Sequence, residues 1–168
     1  CGGGVHRTAP GQVTDDGELT LCLAHGLIGS DRYDDESTAR RYRAWYQSRP
    51  FDVGIATKKA FSVEVPDGEP CARAMRNAAA RNAESKANGA LMRATPLGVW
   101  GARLNSEQLK EAAFADTSLS HPNGTCRYAT AAYVVAIAHL VRNPGDPIGA
   151  IRAARQVLNG TDASEVSG

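Results

Sequence analysis

A hydroxyl and two carboxylates stand side by side in the sequence at Thr14, Asp15 and Asp16. Hard oxygen ligands of this kind suit Mg²⁺ or Mn²⁺. The same residues also make an ordinary helix start, in which the threonine caps the first turn and the acids complement the helix dipole. The pattern alone therefore predicts either a metal site or a helix cap.

Two further polar residues, Asp52 and His121, lie in segments that the sequence predicts to be turns. Asp52 belongs to Phe51-Asp52-Val53-Gly54, where a carboxylate either stabilises the turn or acts as an acid or base. His121 stands in Ser120-His121-Pro122 before an apolar stretch. Its imidazole either binds a ligand or hydrogen-bonds a loop carbonyl. The residues alone leave both interpretations open.

A glycine turn at Asn88-Gly89 is the third kind of candidate site. Glycine lets backbone amides approach a ligand closely, and amides beside an asparagine could hold a diphosphate or ribose hydroxyls. The alternative is a helix C-cap or turn, with Leu91 and Met92 of the same segment in the core.

Helices are predicted to position these residues, because apolar residues recur with helical spacing and no long stretch alternates with period two. The predicted helices cover approximately the segment from Thr14-Asp15-Asp16 to Gly29, residues 37–47, residues 70–83, a short helix after Asn105, residues 123–141 and residues 147–159. Residues 123–141 are apolar nearly all round, which is typical of a central buried helix. The sequence therefore predicts an all-α fold.

The composition is that of one globular domain. The chain has 168 residues, 42% of them hydrophobic, and a net charge of +1, which gives no electrostatic reason to expect nucleic acid or an anionic membrane as a partner. The longest apolar run, Ala131 to Ala138, is far shorter than the roughly 20 residues of a membrane span. Scattered cysteines at positions 1, 22, 71 and 126 predict reduced thiols and a cytoplasmic protein.

Taken together and in order, these motifs make the chain resemble the ADP-ribosylglycohydrolase family. The matching segments are Gly11-Gln12-Val13-Thr14-Asp15-Asp16, Trp45-Tyr46, Phe51-Asp52-Val53-Gly54 with Thr57, Glu84-Ser85, Asn88-Gly89-Ala90-Leu91-Met92-Arg93, Pro96-Leu97-Gly98 and Leu119-Ser120-His121-Pro122.

The resemblance implies a compact, orthogonal multi-helix domain that hydrolyses the N- or O-glycosidic bond between ADP-ribose and a modified side chain. It implies a Mg²⁺ or Mn²⁺ site, dinuclear in the complete family domain, and an ADP-ribosylated protein or small ADP-ribose conjugate as substrate. The implied roles are metal ligation by Thr14, Asp15 and Asp16, catalysis by Asp52 and Asp16, and ADP-ribose binding by Glu84, Asn88, Gly89 and His121.

The chain departs from the family pattern at three places. Gly17 stands where the family usually has threonine, and only thirteen residues precede Thr14, where the family has a glycine-rich helix and a glutamate-bearing loop. The family's later Asp-x-Asp-Thr motif has no counterpart, since Thr161-Asp162-Ala163-Ser164 lacks the second aspartate. We therefore expect residues 1–168 to form a single partial domain, truncated at both ends, that binds Mg²⁺ weakly without the missing carboxylates.

Two other functions remain open at this stage. The chain is either a non-catalytic member that binds ADP-ribose, or a subunit that requires another chain. Helices absent from a partial domain would leave apolar surface exposed, which predicts self-association or a partner chain that completes the fold.

Overall fold

The protein is built from helices, as the sequence predicts. The computed structural model describes Gly3 and residues 8–159, and within them there are eight α-helices and no β-strand. The helices are α1 (Asp15–Leu27), α2 (Asp35–Gln47), α3 (Ile55–Phe61), α4 (Cys71–Ala79), α5 (Thr95–Trp100), α6 (Ser106–Ser118), α7 (Gly124–Arg142) and α8 (Pro147–Leu158). Short 3-10 helices, Ala80–Asn82 and Gly101–Arg103, extend α4 and α5.

Helix α7 lies at the centre of one half of the fold and contacts α5, α6 and α8. Its buried face is made of small and branched residues, among them Ala131, Val134 and Val135. A Cβ atom on Gly98 of α5 would lie 2.7 Å from the Cβ atom of Ile137 and 2.9 Å from the carbonyl oxygen of Val134. Glycine at position 98 therefore lets α5 approach α7 closely.

Helices α1 to α4 pack around an aromatic cluster in the other half. The Tyr42 ring stacks on Phe61 with 5.1 Å between the centroids, and Trp45 meets Phe61 edge-on at 6.4 Å. Leu19 and Leu23 of α1 are fully buried in the same core. Burial of side chains of this size contributes about 1.5–3 kcal/mol each, so this cluster fixes α1 and α3, the helices that begin beside the site.

A buried ion pair joins the two halves. Arg93 and Asp116 have fully buried side chains, with 3.1 Å between Nη2 and Oδ2. The hydroxyls of Tyr33 and Tyr42 donate to Asp116 Oδ1 at 3.1 and 2.8 Å, and the Arg93 guanidinium lies over the Tyr42 ring at 4.6 Å. These hydrogen bonds and the aromatic contact compensate the two charges for their loss of water, which a buried ion pair requires.

The longer predicted helices are confirmed, with shifted ends. Helix α2 begins at Asp35, two residues before the predicted start, because the Asp34 carboxylate accepts hydrogen bonds from the backbone of Glu36 and Ser37. The helix predicted over residues 70–83 ends at Ala79 and continues as a 3-10 helix. Helix α6 has the predicted capping box between Asn105 and Gln108, although it is not short, since it has 13 residues.

The sequence prediction missed α3 and α5. They have seven and six residues, which is too short for a helical repeat to show, and α5 contains Pro96 and Gly98. The predicted cap at Thr14 is also wrong in detail, because Thr14 occupies the N-cap position of α1 without a side-chain capping hydrogen bond.

Helix α8 is only lightly buried. Its residues Ile148 and Ile151 are 69% and 57% exposed, and Ala150 is its buried residue. No helix in the described part of the chain is both long and apolar enough to pass through a membrane. Cys1 and the Thr161-Asp162-Ala163-Ser164 segment lie outside the described residues.

Candidate functional site

The carboxylates of the site begin at the first turn of α1. Asp15 is 7% exposed, and its two carboxylate oxygens accept hydrogen bonds from the backbone of Asp16 at 3.1 Å and of Gly54 at 3.3 Å. The Thr14 hydroxyl donates to Asp16 Oδ2 at 3.2 Å. Thr14 therefore orients the carboxylate of Asp16 instead of capping the backbone.

Negative charge is concentrated around Asp15. Burial is the largest cause that raises the pKa of this carboxyl, and the nearby charge of Asp52 is the second. Asp16 raises it further, whereas the hydrogen bond from Gly54 lowers it. An ionised Asp15 is therefore disfavoured by its surroundings, and a bound cation would relieve this.

Asp52 reaches the site from the loop between α2 and α3. The loop leaves α2 through Arg49, which has a positive φ of 60°, a conformation that costs a residue other than glycine about 1 kcal/mol or more. Asp52 is half-buried, and Gly54, which ends the loop, is the N-cap of α3. The hydrogen bond from Gly54 to Asp15 therefore ties this loop to the start of α1.

The Asn88-Gly89 turn forms the opposite wall. The Cys126 thiol of α7 lies 3.4 Å from the carbonyl oxygens of Ser85 and Ala87, and Arg93 Nη1 donates to the carbonyl of Gly89 at 2.9 Å. Gly89 is buried, whereas Asn88 is exposed. Two buried side chains therefore hold the backbone of this turn from behind.

His121 closes the wall beside Gly89. Its side chain is almost completely buried, and its Nδ1 atom lies 2.8 Å from the Ser120 hydroxyl. Burial, with a smaller effect from the charge of Arg93, lowers the pKa of His121 to about 4. The imidazole is therefore neutral near pH 7.

A cavity of about 220 Å³ brings most of the predicted site residues together. The predicted site residues on its lining are the carboxylates at one end and the glycine turn with the histidine at the other: Asp15, Asp16, Asp52, Asn88, Gly89 and His121. The remaining lining residues are Gly54, Ile55, Ala56, Thr57, Ala87 and Met92. This arrangement places acidic groups at one end of a small cavity and hydrogen-bonding groups at the other.

Thr14 and Glu84 are not among the residues that line this cavity. Thr14 is half-buried and hydrogen-bonded to Asp16, and Glu84 is exposed in the turn that follows the 3-10 helix. Their predicted roles as metal ligand and ADP-ribose ligand therefore stay predictions.

A larger cavity of about 560 Å³ lies on the other side of the Asp52 loop. It is lined by aromatic, basic and small side chains, namely Tyr46, Gln47, Arg49, Pro50, Phe51, Val53 and Lys58. None of the described residues that line it carries a carboxylate. We therefore assign the chemistry to the smaller cavity, where the acidic groups are.

Sequence reasoning gave Thr57 no role, although Thr57 lines the smaller cavity and is 1% exposed. Its position in the first turn of α3 is what brings it there. Because α3 is too short to be recognised by periodicity, the signal for Thr57 was its place in the matching segment, three residues after Gly54.

The donor chemistry at the start of α1 fits a hard divalent cation. Thr14, Asp15 and Asp16 offer hydroxyl and carboxylate oxygens, and like charges already crowd Asp15. Among the residues described, however, no group of three or more His, Cys, Asp or Glu side chains could hold a metal ion. A cation bound here would therefore keep several of its water ligands.

Comparison with known proteins points to one family. The ADP-ribosylglycohydrolase family matches residues 2–167. A mimivirus protein from Acanthamoeba polyphaga mimivirus, named as a candidate ADP-ribosyl glycohydrolase, is 35% identical over 92 residues, which is 55% of this chain and 26% of that protein. The ADP-ribosyl-dinitrogen reductase glycohydrolase of Rhodospirillum rubrum is 33% identical over 95 residues, 56% of this chain and 30% of that enzyme.

A third relative is the ADP-ribosylarginine hydrolase of Pseudomonas putida, which is 34% identical over 74 residues, 40% of this chain and 20% of the relative. The matched segments thus span less than a third of the length of each of these three proteins.

Proposed function

The chain belongs to the ADP-ribosylglycohydrolase family, and we propose that it hydrolyses the N- or O-glycosidic bond between ADP-ribose and a modified side chain with the help of Mg²⁺. The proposed substrate is an ADP-ribosylated protein or a small ADP-ribose conjugate. Two relatives are named for ADP-ribosylarginine and for dinitrogen reductase, so an arginine conjugate is the first substrate to test.

One observation carries this proposal, namely that Asp15, Asp16 and Asp52 share a cavity with Asn88, Gly89 and His121. Cleavage of a ribose C1 bond builds positive oxocarbenium character at the sugar. Anions beside that carbon stabilise the transition state more than the ground state, which is what accelerates a reaction. The carboxylate end of the cavity supplies such anions.

Asp52 is the proposed acid or base. It reaches the cavity from a loop, while Asp15 is held by two backbone hydrogen bonds. In hydrolysis a carboxylate either takes the proton of the attacking water or gives a proton to the leaving group. The proposal assigns one of these two proton transfers to Asp52 and gives Asp16 a supporting electrostatic role.

Thr14, Asp15 and Asp16 would hold the divalent cation. When bound, the ion would orient the ribose hydroxyls and lower the pKa of a coordinated water. The side chains themselves have a defined arrangement, since Thr14 donates to Asp16 and Gly54 donates to Asp15.

The donor end of the cavity is proposed to bind the ribose. Ligand pockets usually measure roughly 300–1,000 Å³, so a cavity of about 220 Å³ encloses only part of a molecule as large as ADP-ribose. The exposed Asn88 and Glu84 would then contact the remainder at the surface. We extend the proposal to a cytoplasmic location, which is supported by the free thiols of Cys22, Cys71 and Cys126.

The test is release of ADP-ribose from an ADP-ribosylarginine conjugate, measured with Mg²⁺ and with EDTA. The wild-type chain is compared with Asp15→Asn and with a matched control, Asp67→Asn, which changes an exposed aspartate outside the cavity. We expect Mg²⁺-dependent release from the wild type and the control, and none from Asp15→Asn. Calorimetry with ADP-ribose on the same samples reports binding separately.

Binding of ADP-ribose without release would overturn the hydrolase proposal in favour of a non-catalytic binding member. Neither binding nor release would favour a subunit that requires another chain. Release that continues in EDTA or in Asp15→Asn would refute the assigned metal and carboxylate roles.

A further inference from the structure

The loop that carries Asp52 separates two cavities. Asp52 and Gly54 line the smaller cavity, whereas Phe51 and Val53 line the larger one. This alternation is typical of an extended segment, in which successive residues face opposite sides. A molecule in the larger cavity therefore lies one loop thickness away from Asp52, the proposed acid or base.

The larger cavity is basic where the smaller one is acidic. Arg49 and Lys58 line it, both are exposed, and neither has an ion pair among the residues described. Phe51, which is 50% exposed, and Val53 add apolar surface. Charge complementarity guides the choice of a partner, so this lining suits a molecule that combines carboxylates with apolar groups.

The basic surface continues along α2. A further cavity of about 330 Å³ shares Gln47 with the larger cavity and is lined by Arg43, which lies one helical turn before Gln47 on the same face. Arg43 has no ion pair within the described part of the chain, and its buried Nε atom has no hydrogen-bond partner there. The acidic residues of this cavity, Glu36 and Glu69, are each paired with another arginine. Unpaired cations therefore follow one another across two adjoining cavities.

We propose that this surface, called here the basic groove and formed by Arg43, Arg49, Phe51 and Lys58, binds an acidic segment of the ADP-ribosylated protein next to its modified side chain. The inference rests on the proposed function for the identity of that protein. ADP-ribose is proposed to enter the smaller cavity, so the flanking polypeptide is left to contact the other side of the loop. Cations spaced along an elongated surface match carboxylates spaced along a polypeptide better than they match one compact anion.

Unmodified peptides test the basic groove without any hydrolysis. Fluorescence anisotropy compares a labelled peptide in which glutamates flank a central arginine with the same peptide carrying glutamines or lysines. The wild-type chain should bind the glutamate peptide most tightly, by about twofold to fivefold for each ion pair formed. The preference should shrink as salt is added, because salt screens exposed charges.

Charge reversal at Lys58 tests the position of the groove. Lys58→Glu should weaken binding of the glutamate peptide about fivefold or more and strengthen binding of the lysine peptide, an exchange that a loss of folding would not produce. The matched control is Lys59→Glu, which reverses the neighbouring exposed lysine of α3. Lys59 lines neither cavity of the groove, so this variant should bind both peptides like the wild type.

The hydrolysis assay extends the test to the proposed substrate. Glutamates placed around an ADP-ribosylarginine should raise kcat/KM through a lower KM, because contacts in the groove are the same in the ground state and the transition state. Lys58→Glu should raise KM for this acidic substrate, and Lys59→Glu should not.

Equal affinity of the wild type for the glutamate and glutamine peptides would overturn the basic groove, as would an equal effect of Lys59→Glu. Tighter binding of a single-stranded oligonucleotide of the same charge would overturn it in favour of a nucleic-acid partner. Hydrolysis without any preference for acidic flanks would leave the proposed function standing and overturn the groove alone. Preference for the glutamate peptide without hydrolysis would support the groove and count against the proposed function.

Discussion

Gly89→Ala adds one methyl group at the point where three parts of the site meet. The new Cβ atom would lie 2.7 Å from His121 Cε1, 2.9 Å from His121 Nε2 and 3.0 Å from Thr57 Oγ1. None of these neighbours can yield freely, because His121 is bonded to Ser120 and the Gly89 carbonyl is held by Arg93. Either the histidine ring or the glycine turn must therefore leave its hydrogen-bond partner.

This crowding should lower the free energy of unfolding of the variant. Overpacking of a core typically costs about 1–3 kcal/mol, which lowers the melting temperature of a chain of this size by about 2–12 °C. Binding should suffer more than stability, since the methyl group fills cavity space between Thr57 Oγ1 and His121 Nε2 that the proposed ligand would occupy. We expect the affinity for ADP-ribose to fall by about tenfold or more, which corresponds to the loss of two ordinary hydrogen bonds.

Thermal unfolding and calorimetry with ADP-ribose measure the two effects on the same samples. The matched control is Gly124→Ala at the start of α7, where an added Cβ atom meets nothing within 4 Å. Alanine there should stabilise the protein by about 0.4–1 kcal/mol and leave binding unchanged. A Gly89→Ala variant with the stability and affinity of the wild type would refute the close approach of Gly89 to His121 and Thr57.

Two further predictions concern charge. The pKa of His121 is about 4 in the folded chain, against an ordinary value of 6.5. Between these two pH values His121 is therefore protonated in the unfolded chain and neutral in the folded chain. About 3 kcal/mol of unfolding free energy is therefore lost over that interval. Urea unfolding from pH 7 to pH 4 should show a shallower decline in His121→Gln than in the wild type or in the exposed-site control His25→Gln, and parallel curves would contradict it. Asp15→Asn should raise the melting temperature without a divalent cation, because it removes a carboxylate whose ionisation is disfavoured by burial and by the charge of Asp52. It should also abolish the rise in melting temperature that the proposed function predicts for the wild type with Mg²⁺. A lower melting temperature in the variant, or an equal response to Mg²⁺, would count against this.

The parts of the fold that could be predicted are those with a local cause. Helix α1 could be predicted from its acidic start, α6 from its capping box and α7 from its long apolar stretch. Helices α3 and α5 could not be predicted, because their helical form depends on packing against distant residues. Gly98, for example, is explained only by the position of Ile137 on α7.

The candidate site divides in the same way. The motif resemblance picked out Asp15, Asp52 and His121, and the structure places all three on one cavity. What the sequence could not predict is the support behind them. Arg93 and Asp116 are 23 residues apart, and Tyr33 is 83 residues from Asp116, so no spacing rule connects them.

This support explains how one cavity can keep its two ends chemically different. Asp116 neutralises Arg93, so the buried cation does not offset the carboxylates on the far wall. His121 is neutral near pH 7 because of its burial, so it adds no second positive charge. Neither Arg93 nor His121 therefore offsets the carboxylate end, where the proposed function places a cation and the positive sugar carbon of the transition state. The donor end is left to orient oxygen atoms, and the two functions do not cancel one another.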